Sequence, residues 1–403
     1  MQITLPESVG FSSQHIADID TAIQSRIALG QLAGLTAMVA RQGKIVYQTA
    51  HGMSDIATKQ PMLLDTIFRI ASMTKPITSV AVMMLYEEGY FDLDTPISSF
   101  IPAFHHVKVI TAQTQTETDL VLADLDTELT IRHLFTQTSG LDGYFEDGGT
   151  PIEQVYHQER AKLLQTNPPL TLKKMMEVIA TLPLAHQPGA RWAYGLGLDV
   201  LAYLVELISG MRYEEFLQTR IFAPLKMVDT AYHVPPRNVH RLARVHQYTA
   251  QHDQLKRQEF DWMQVPSSSP SYVEGGNLLV STLGDYGRFL QMLLNKGEFE
   301  GVRLLRPDTV DQIASNHVPI NILRNGFPDI RDGYGFGLGV RVRMDETASS
   351  AVGSRGEYGW GGLYNTVFWV DPQKSLFGLL LQQQFGFSFA REFKTMVYQA
   401  LLS

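Results

Sequence analysis

Ser72 and Lys75 stand three residues apart in "RIASMTKPITSVAVMMLYEEG", Arg69 to Gly89, and Pro76 follows Lys75 directly. Proline lacks an amide hydrogen and is tolerated only in the first turn of a helix, so the helix over this apolar run cannot begin far upstream of Pro76. Ser72 then sits at the helix start, where unpaired amides and the positive end of the dipole favour developing negative charge. A spacing of three sets the lysine amine on the same face as the serine hydroxyl. Desolvation pushes an amine in a water-poor pocket toward its neutral form, and a neutral amine can accept a proton from serine. Such a pair makes a nucleophile without histidine. An isolated S-x-x-K match also fits a helix cap beside a lysine that snorkels to solvent, and four positions do not separate the two readings.

The elements that must hold these residues are visible as changes of periodicity. From Gly34 to Asp55 two β-rich runs flank Arg41-Gln42-Gly43-Lys44, which reads as a hairpin. Ser79 to Glu88 carries helical spacing, ended by Gly89. Residues 91 to about 265 read as mostly helical segments and loops, with turn clusters "EDGGTP" and "NPP" and one long helix from about Leu196 to Ser209. From Gly275 onward a short strand and a helix precede strands in "GYGFGLGVRVRM", "YGWGGLYNTVFWVDP" and "SLFGLLLQQQ", and a helix from about Phe389 to Leu402 closes the chain. Strands at both ends with helices between them predict an α+β fold. Its antiparallel sheet domain takes residues 1–90 and 270–403, a mainly helical domain takes 91–269, and the active site lies at the junction.

Composition narrows the chemistry. With 403 residues, 44% of them hydrophobic and 18% charged, the chain reads as an ordinary globular protein. A net charge of -8 with scattered basic residues argues against a nucleic-acid partner. The absence of cysteine excludes disulfides, thiolate metal sites and a cysteine nucleophile. No G-x-S-x-G elbow surrounds Ser281 or Ser354, so a Ser-His-Asp triad is not indicated. His105-His106 is an adjacent pair and not a metal motif, and "GYGFGLG" fails the dinucleotide pattern, so neither a metal nor a cofactor is expected. The N-terminus lacks a secretory pattern and no apolar run spans a bilayer, which reads as a cytoplasmic chain without a membrane span.

The stretch "FRIASMTKPITSVAVMMLYEEGYFDLDTPISSFIP" resembles the active-site region of the serine β-lactamase and penicillin-binding protein superfamily. Within it the likeness is to class C β-lactamases, family VIII carboxylesterases and lovastatin-type acyltransferases. Similar segments follow in order: "LTIRHLFTQTSGL", "LPLAHQPGARWAYGLGLDVLAYLVELISG", "IFAPLKMVDT", "EGGNLLVSTLGDYGRF" and "YGWGGLYNTVFWVDP". The resemblance implies a β-lactamase/transpeptidase-like fold.

It also implies roles. Tyr194 in "RWAYGLGLDVL" would be the second catalytic side chain, sharing the Ser72 proton with Lys75 and passing it to the leaving alcohol. Leu196 stands where penicillin-recognising members carry the asparagine of Tyr-x-Asn, and Trp360-Gly361-Gly362 stands in place of Lys-Thr-Gly. Leucine supplies no hydrogen bond to an amide and tryptophan no cation for a carboxylate, so these substrate-binding positions favour esters over β-lactams. The amides of Ser72 and Leu363 would form an oxyanion hole, usually worth ~3 kcal/mol per donor. Arg355 could add a cation but reads as a solvated loop residue. Ser139 reads as part of a structural turn, with Gln137 in the place of the usual histidine. The expected activity is a serine carboxylesterase acting on a small-molecule ester. A β-lactamase or D-amino-acid peptidase, an acyltransferase, and an inactive binding protein of the same fold are the alternatives. Oligomeric state is not legible.

Overall fold

The computed structural model describes residues 1–112, 120–141, 151–165, 169–260, 264–345, 347 and 352–402, so the turn clusters "EDGGTP" and "NPP" fall mostly outside the described residues. The strands that frame the site are β1 (Gln2–Ile3), β2 (Gly34–Arg41), β3 (Lys44–Asp55), β4 (Gln60–Pro61), β5 (Phe68–Arg69), β6 (Val280–Ser281), β7 (Tyr334–Phe336), β8 (Arg341–Arg343), β9 (Tyr358–Gly361), β10 (Val367–Asp371) and β11 (Leu376–Gln382). The helices that bear on the site and its cores are α1 (Ser13–Ala28), α2 (Thr74–Glu87), α3 (Ile131–Phe135), α4 (Pro151–Leu164), α5 (Leu172–Ile179), α6 (Gly197–Ser209), α7 (Leu283–Leu294) and α8 (Ala390–Gln399).

The main sheet runs β1-β3-β2-β11-β10-β9-β8-β7, with β4 added to β3. Its N-terminal hairpin and its C-terminal strands meet where β2 pairs antiparallel with β11, Arg41 opposite Leu376 and Leu35 opposite Gln382. The β2–β3 turn is Gln42 and Gly43, both at positive φ (52° and 77°), the two-residue connection whose twist suits a hairpin.

Period-two alternation sends side chains of one strand to both faces. Leu35, Ala37 and Val39 of β2 join Leu376 and Leu380 of β11 in a core with α1 and α8, around Ile19, Ile23 and Phe393. Met38 and Ala40 point the other way, with Phe377, Leu379 and Leu381, into the larger core that holds α2, α6 and α7. Burial on both faces explains why these strands read as near-continuous apolar runs. Helix α2 lies inside that larger core, with every residue from Thr74 to Leu85 buried. It is apolar all round for that reason, and its few polar groups must be answered by the protein.

The middle of the chain is not helices and loops alone. Val109–Ala112 pairs with Val121–Ala123, and Val245–Thr249 with both Gln254–Gln258 and Gln384–Phe385. These strands are too short to show a period-two signal.

Candidate active site

Ser72 lies in a 3-10 turn, Ala71–Met73, that runs directly into α2. Ala71 adopts φ 45°, a left-handed conformation that costs an L-residue roughly 1–2 kcal/mol. Neighbouring elements hold the turn in place. The Ile70 amide donates to the Leu279 carbonyl at 3.0 Å, and the Tyr286 hydroxyl of α7 donates to the Met73 carbonyl at 2.9 Å. The strained residue thus sits directly beside Ser72, which is partly exposed at the head of the buried helix.

Lys75 does not snorkel; it is fully buried. Its Nζ lies 3.4 Å from Ser72 Oγ, donates to the Gly276 carbonyl at 2.8 Å, and stands 4.4 Å from the centroid of the Tyr194 ring. The Tyr194 hydroxyl donates to Ser72 Oγ at 2.7 Å. Ser72, Lys75 and Tyr194, drawn from segments 122 residues apart, therefore meet around one oxygen. Sequence reading left Gln137 without a role. In the structure it is buried, at φ 58°, and brackets Tyr194: its carbonyl accepts the Ala193 amide and its Oε1 accepts the Gly195 amide, each at 2.8 Å. A polar residue inside "HLFTQTSGL" carries no periodic signal of that task.

The Tyr194 ring stacks on Trp360, with centroids 6.1 Å apart and planes 15° from parallel. Beside them opens a cleft of about 370 Å³, walled by Trp192, Phe327 and Pro328 and rimmed by Glu153, Arg191 and Asp329. Trp360 and Gly361 end β9, and Gly362 carries the chain past the Ser72 turn. A Cβ on Gly362 would collide with the Ile70 carbonyl and the Thr366 hydroxyl, so only glycine lets this strand end lie against the turn. Leu363 follows with its side chain half exposed. Among the described residues, neither its amide nor that of Ser72 donates to a backbone acceptor.

Leu196 is placed differently from the cleft residues. It is buried at the start of α6, and its side chain lines a small separate cavity with Tyr156, Arg160, Leu163, Asp199 and Tyr272. Arg355 is exposed in the turn before β9. His105 and His106 are both exposed, with rings 5.7 Å apart.

Two buried acids near Lys75 went unnoticed in the sequence. Asp199, in the first turn of α6, accepts the Gly276 amide on Oδ1 at 3.1 Å. Burial and the neighbouring Glu274 charge push its carboxyl up to about 6, against the opposing pull of Lys75. Glu274 is paired with Arg160 and accepts the Tyr272 hydroxyl at 3.4 Å. The available signal was an acid inside the apolar run "LGLDVLAYLVEL", since buried carboxylates are rare unless paired.

The family model described as Beta-lactamase matches residues 19–401. The chain belongs to this family. Protein Rv1367c of Mycobacterium tuberculosis (strain ATCC 25618 / H37Rv) is 34% identical over 88% of the chain and 86% of its own length. Esterase EstB of Burkholderia gladioli is 28% identical over 91% and 89%. Among solved structures, the unliganded simvastatin synthase LovD of Aspergillus terreus superposes with a TM-score of 0.81, covering 95% of this chain and 98% of that one at 23% identity. EstCE1, a hydrolase with promiscuous acyltransferase activity, superposes at 0.78, covering 96% and 99% at 23% identity. The α+β architecture is thus the β-lactamase/transpeptidase-like fold, a serine-hydrolase type with esterase and acyltransferase homologues. Among the described residues, no cluster of His, Cys, Asp or Glu is suited to a metal ion, and no helix is long and apolar enough to cross a membrane.

Proposed function

We propose that the protein is a serine carboxylesterase, of the family VIII and class C-like type, that cleaves small-molecule esters through an acyl-enzyme on Ser72. The observation that carries this reading is the convergence of Tyr194 Oη at 2.7 Å and Lys75 Nζ at 3.4 Å on Ser72 Oγ. Ser72 Oγ attacks the ester carbonyl carbon while its proton passes to the Tyr194–Lys75 pair. The pair returns that proton to the alkoxide oxygen as the C–O bond breaks, and the alcohol leaves. Water then attacks the acyl carbonyl, gives its proton to the same pair, and Ser72 Oγ leaves with it. The amides of Ser72 and Leu363, which meet no backbone acceptor among the described residues, are the donors for the carbonyl oxygen in both steps. Trp360, Gly361 and Gly362 form the side against which the substrate lies, and an aromatic-walled cleft of this size suits an apolar acyl or alkyl group. Incubation with p-nitrophenyl acetate and butyrate tests the reading. It predicts turnover with a burst of p-nitrophenol equal to the enzyme concentration wherever deacylation is slower, and no turnover of either ester would reject it.

The relatives named as acyltransferases, such as mokF of Monascus pilosus at 27% identity, favour a second use of the same intermediate. An alcohol in place of water needs no further catalytic group, and acylated product formed on adding alcohols would identify it. Penicillin-type chemistry is disfavoured, because neither Leu196 nor Trp360 supplies the amide or cation that would orient a β-lactam. Nitrocefin turnover is expected to lag ester turnover by about 100-fold or more.

Tyr194→Phe keeps the ring on Trp360 and removes only the hydroxyl. It is expected to lower kcat about 10²- to 10⁴-fold with little change in KM or Tm, measured by steady-state kinetics and thermal melting. A kcat within threefold of the parent would remove Tyr194 from the proton path.

A further inference from the structure

Lys75 can take up the Ser72 proton only if something in its apolar surroundings answers the resulting ammonium. Asp199 is placed to do so. It is 2% exposed, and one glycine links it to the amine: the Gly276 amide donates to Asp199 Oδ1 at 3.1 Å, and the Gly276 carbonyl accepts Lys75 Nζ at 2.8 Å. The other carboxylate oxygen, Oδ2, is buried and receives no hydrogen bond among the described residues. A Cβ on Gly276 would stand 3.2 Å from Lys75 Nζ and 3.3 Å from Asp199 Oδ2, so amine and carboxylate flank the same point. The Thr78 hydroxyl donates to the Gly275 carbonyl and keeps this segment against α2.

We propose that Asp199 is a positioning residue for catalysis: through Gly276 it fixes the Lys75 amine beside Ser72, and its charge balances that amine whenever it carries the serine proton. This inference rests on the serine-esterase reading above. The charged and titratable groups around Asp199 are Lys75 from α2, Arg160 from α4, Tyr213 and Tyr232, and Tyr272 with Glu274 from the segment before β6. Glu274 is paired with Arg160, and the Asp199 carboxylate is the acid on which the Lys75 charge acts directly. Its carboxyl titrates near 6, so the carboxylate is present above that pH and lost below it. Acylation of Ser72 is therefore expected to weaken as pH falls through about 6.

Asp199→Asn keeps an acceptor for the Gly276 amide and removes the charge. The test is the rate of Ser72 labelling by a fluorophosphonate between pH 5 and 8, together with kcat and KM for p-nitrophenyl butyrate. The expected result is a fall in labelling rate and kcat of about 10- to 100-fold at pH 7.5, part of what general acid–base groups contribute, with KM within threefold and the acid limb near pH 6 removed. Gly276→Ala, which wedges a methyl between Nζ and Oδ2, is expected to reduce both rates without the loss of the limb, and serves if Asp199→Asn does not fold. A labelled parent whose Asp199→Asn variant reacts at the parental rate with the parental pH profile overturns the inference alone. So does a Gly276→Ala variant with unchanged rates. A parent not labelled at Ser72 overturns the esterase reading, and the inference with it.

Discussion

Ser72→Ala is expected to remove ester hydrolysis, with kcat/KM falling at least about 10⁴-fold, because no acyl-enzyme can form without the hydroxyl oxygen. The fold should be nearly indifferent to the change. Ser72 is partly exposed, and what it gives up is the acceptor for the Tyr194 hydroxyl and a contact with Lys75. Losing one hydrogen bond at a site open to water costs about 1 kcal/mol, which in a chain of this size moves Tm by only about 2–4 °C. The φ of Ala71 and the bonds that hold residues 70 and 73 do not involve the serine side chain. Steady-state kinetics with a thermal melt measures both quantities. Retention of more than a tenth of parental activity by a folded variant would mean that another group is the nucleophile.

Lys75→Met is expected to lower kcat by about 10³-fold or more, since the amine is one of the two groups placed to receive the serine proton. Methionine matches the stem in length, so the packing of α2 is preserved. The electrostatic consequence differs from that of Ser72→Ala. Lys75 holds the Asp199 carboxyl down toward the ionised form, and its removal lets burial and Glu274 raise it above about 6. A carboxyl whose folded value is raised above its unfolded value near 4 contributes stability at low pH and loses it as pH rises toward the folded value. In the parent that loss is complete soon above pH 6. In Lys75→Met it continues into the neutral range. The Tm difference between variant and parent should therefore grow more negative from pH 6 to pH 8, as followed by calorimetry. A difference that is flat across this range would mean that Lys75 and Asp199 do not interact.

How much of this was legible in the sequence differs by element. The β2–β3 hairpin was clear, because Gln42-Gly43 is a turn with a mechanism and the flanking strands are β-branched and apolar. Helices α6 and α8 fell within a few residues of their expected ends, since their periodic runs are long. Pro76 fixed where α2 could start, although it gave no hint that the helix would be enclosed by protein on all sides. The small ladders at 109–123 and 245–258 were missed because their strands are too brief for alternation to register. The grouping of Ser72, Lys75 and Tyr194 was expected from ordered motifs, not from periodicity. The support around them was not. Gln137 acts through its backbone carbonyl and one amide oxygen, and Asp199 through the peptide of Gly276, contacts that only the folded chain creates. Leu196 shows the same limit: its place in the wall of the cavity beside Asp199 depends on how α4 and α5 come to lie beside the start of α6.

Peptide mass spectrometry after reaction with a fluorophosphonate tests the central claim most directly. The expected result is a single stoichiometric adduct on the peptide that contains Ser72, absent from Ser72→Ala and formed more slowly in Tyr194→Phe and Lys75→Met. An adduct at another serine that forms at the same rate in Ser72→Ala would contradict the assignment of Ser72 as nucleophile.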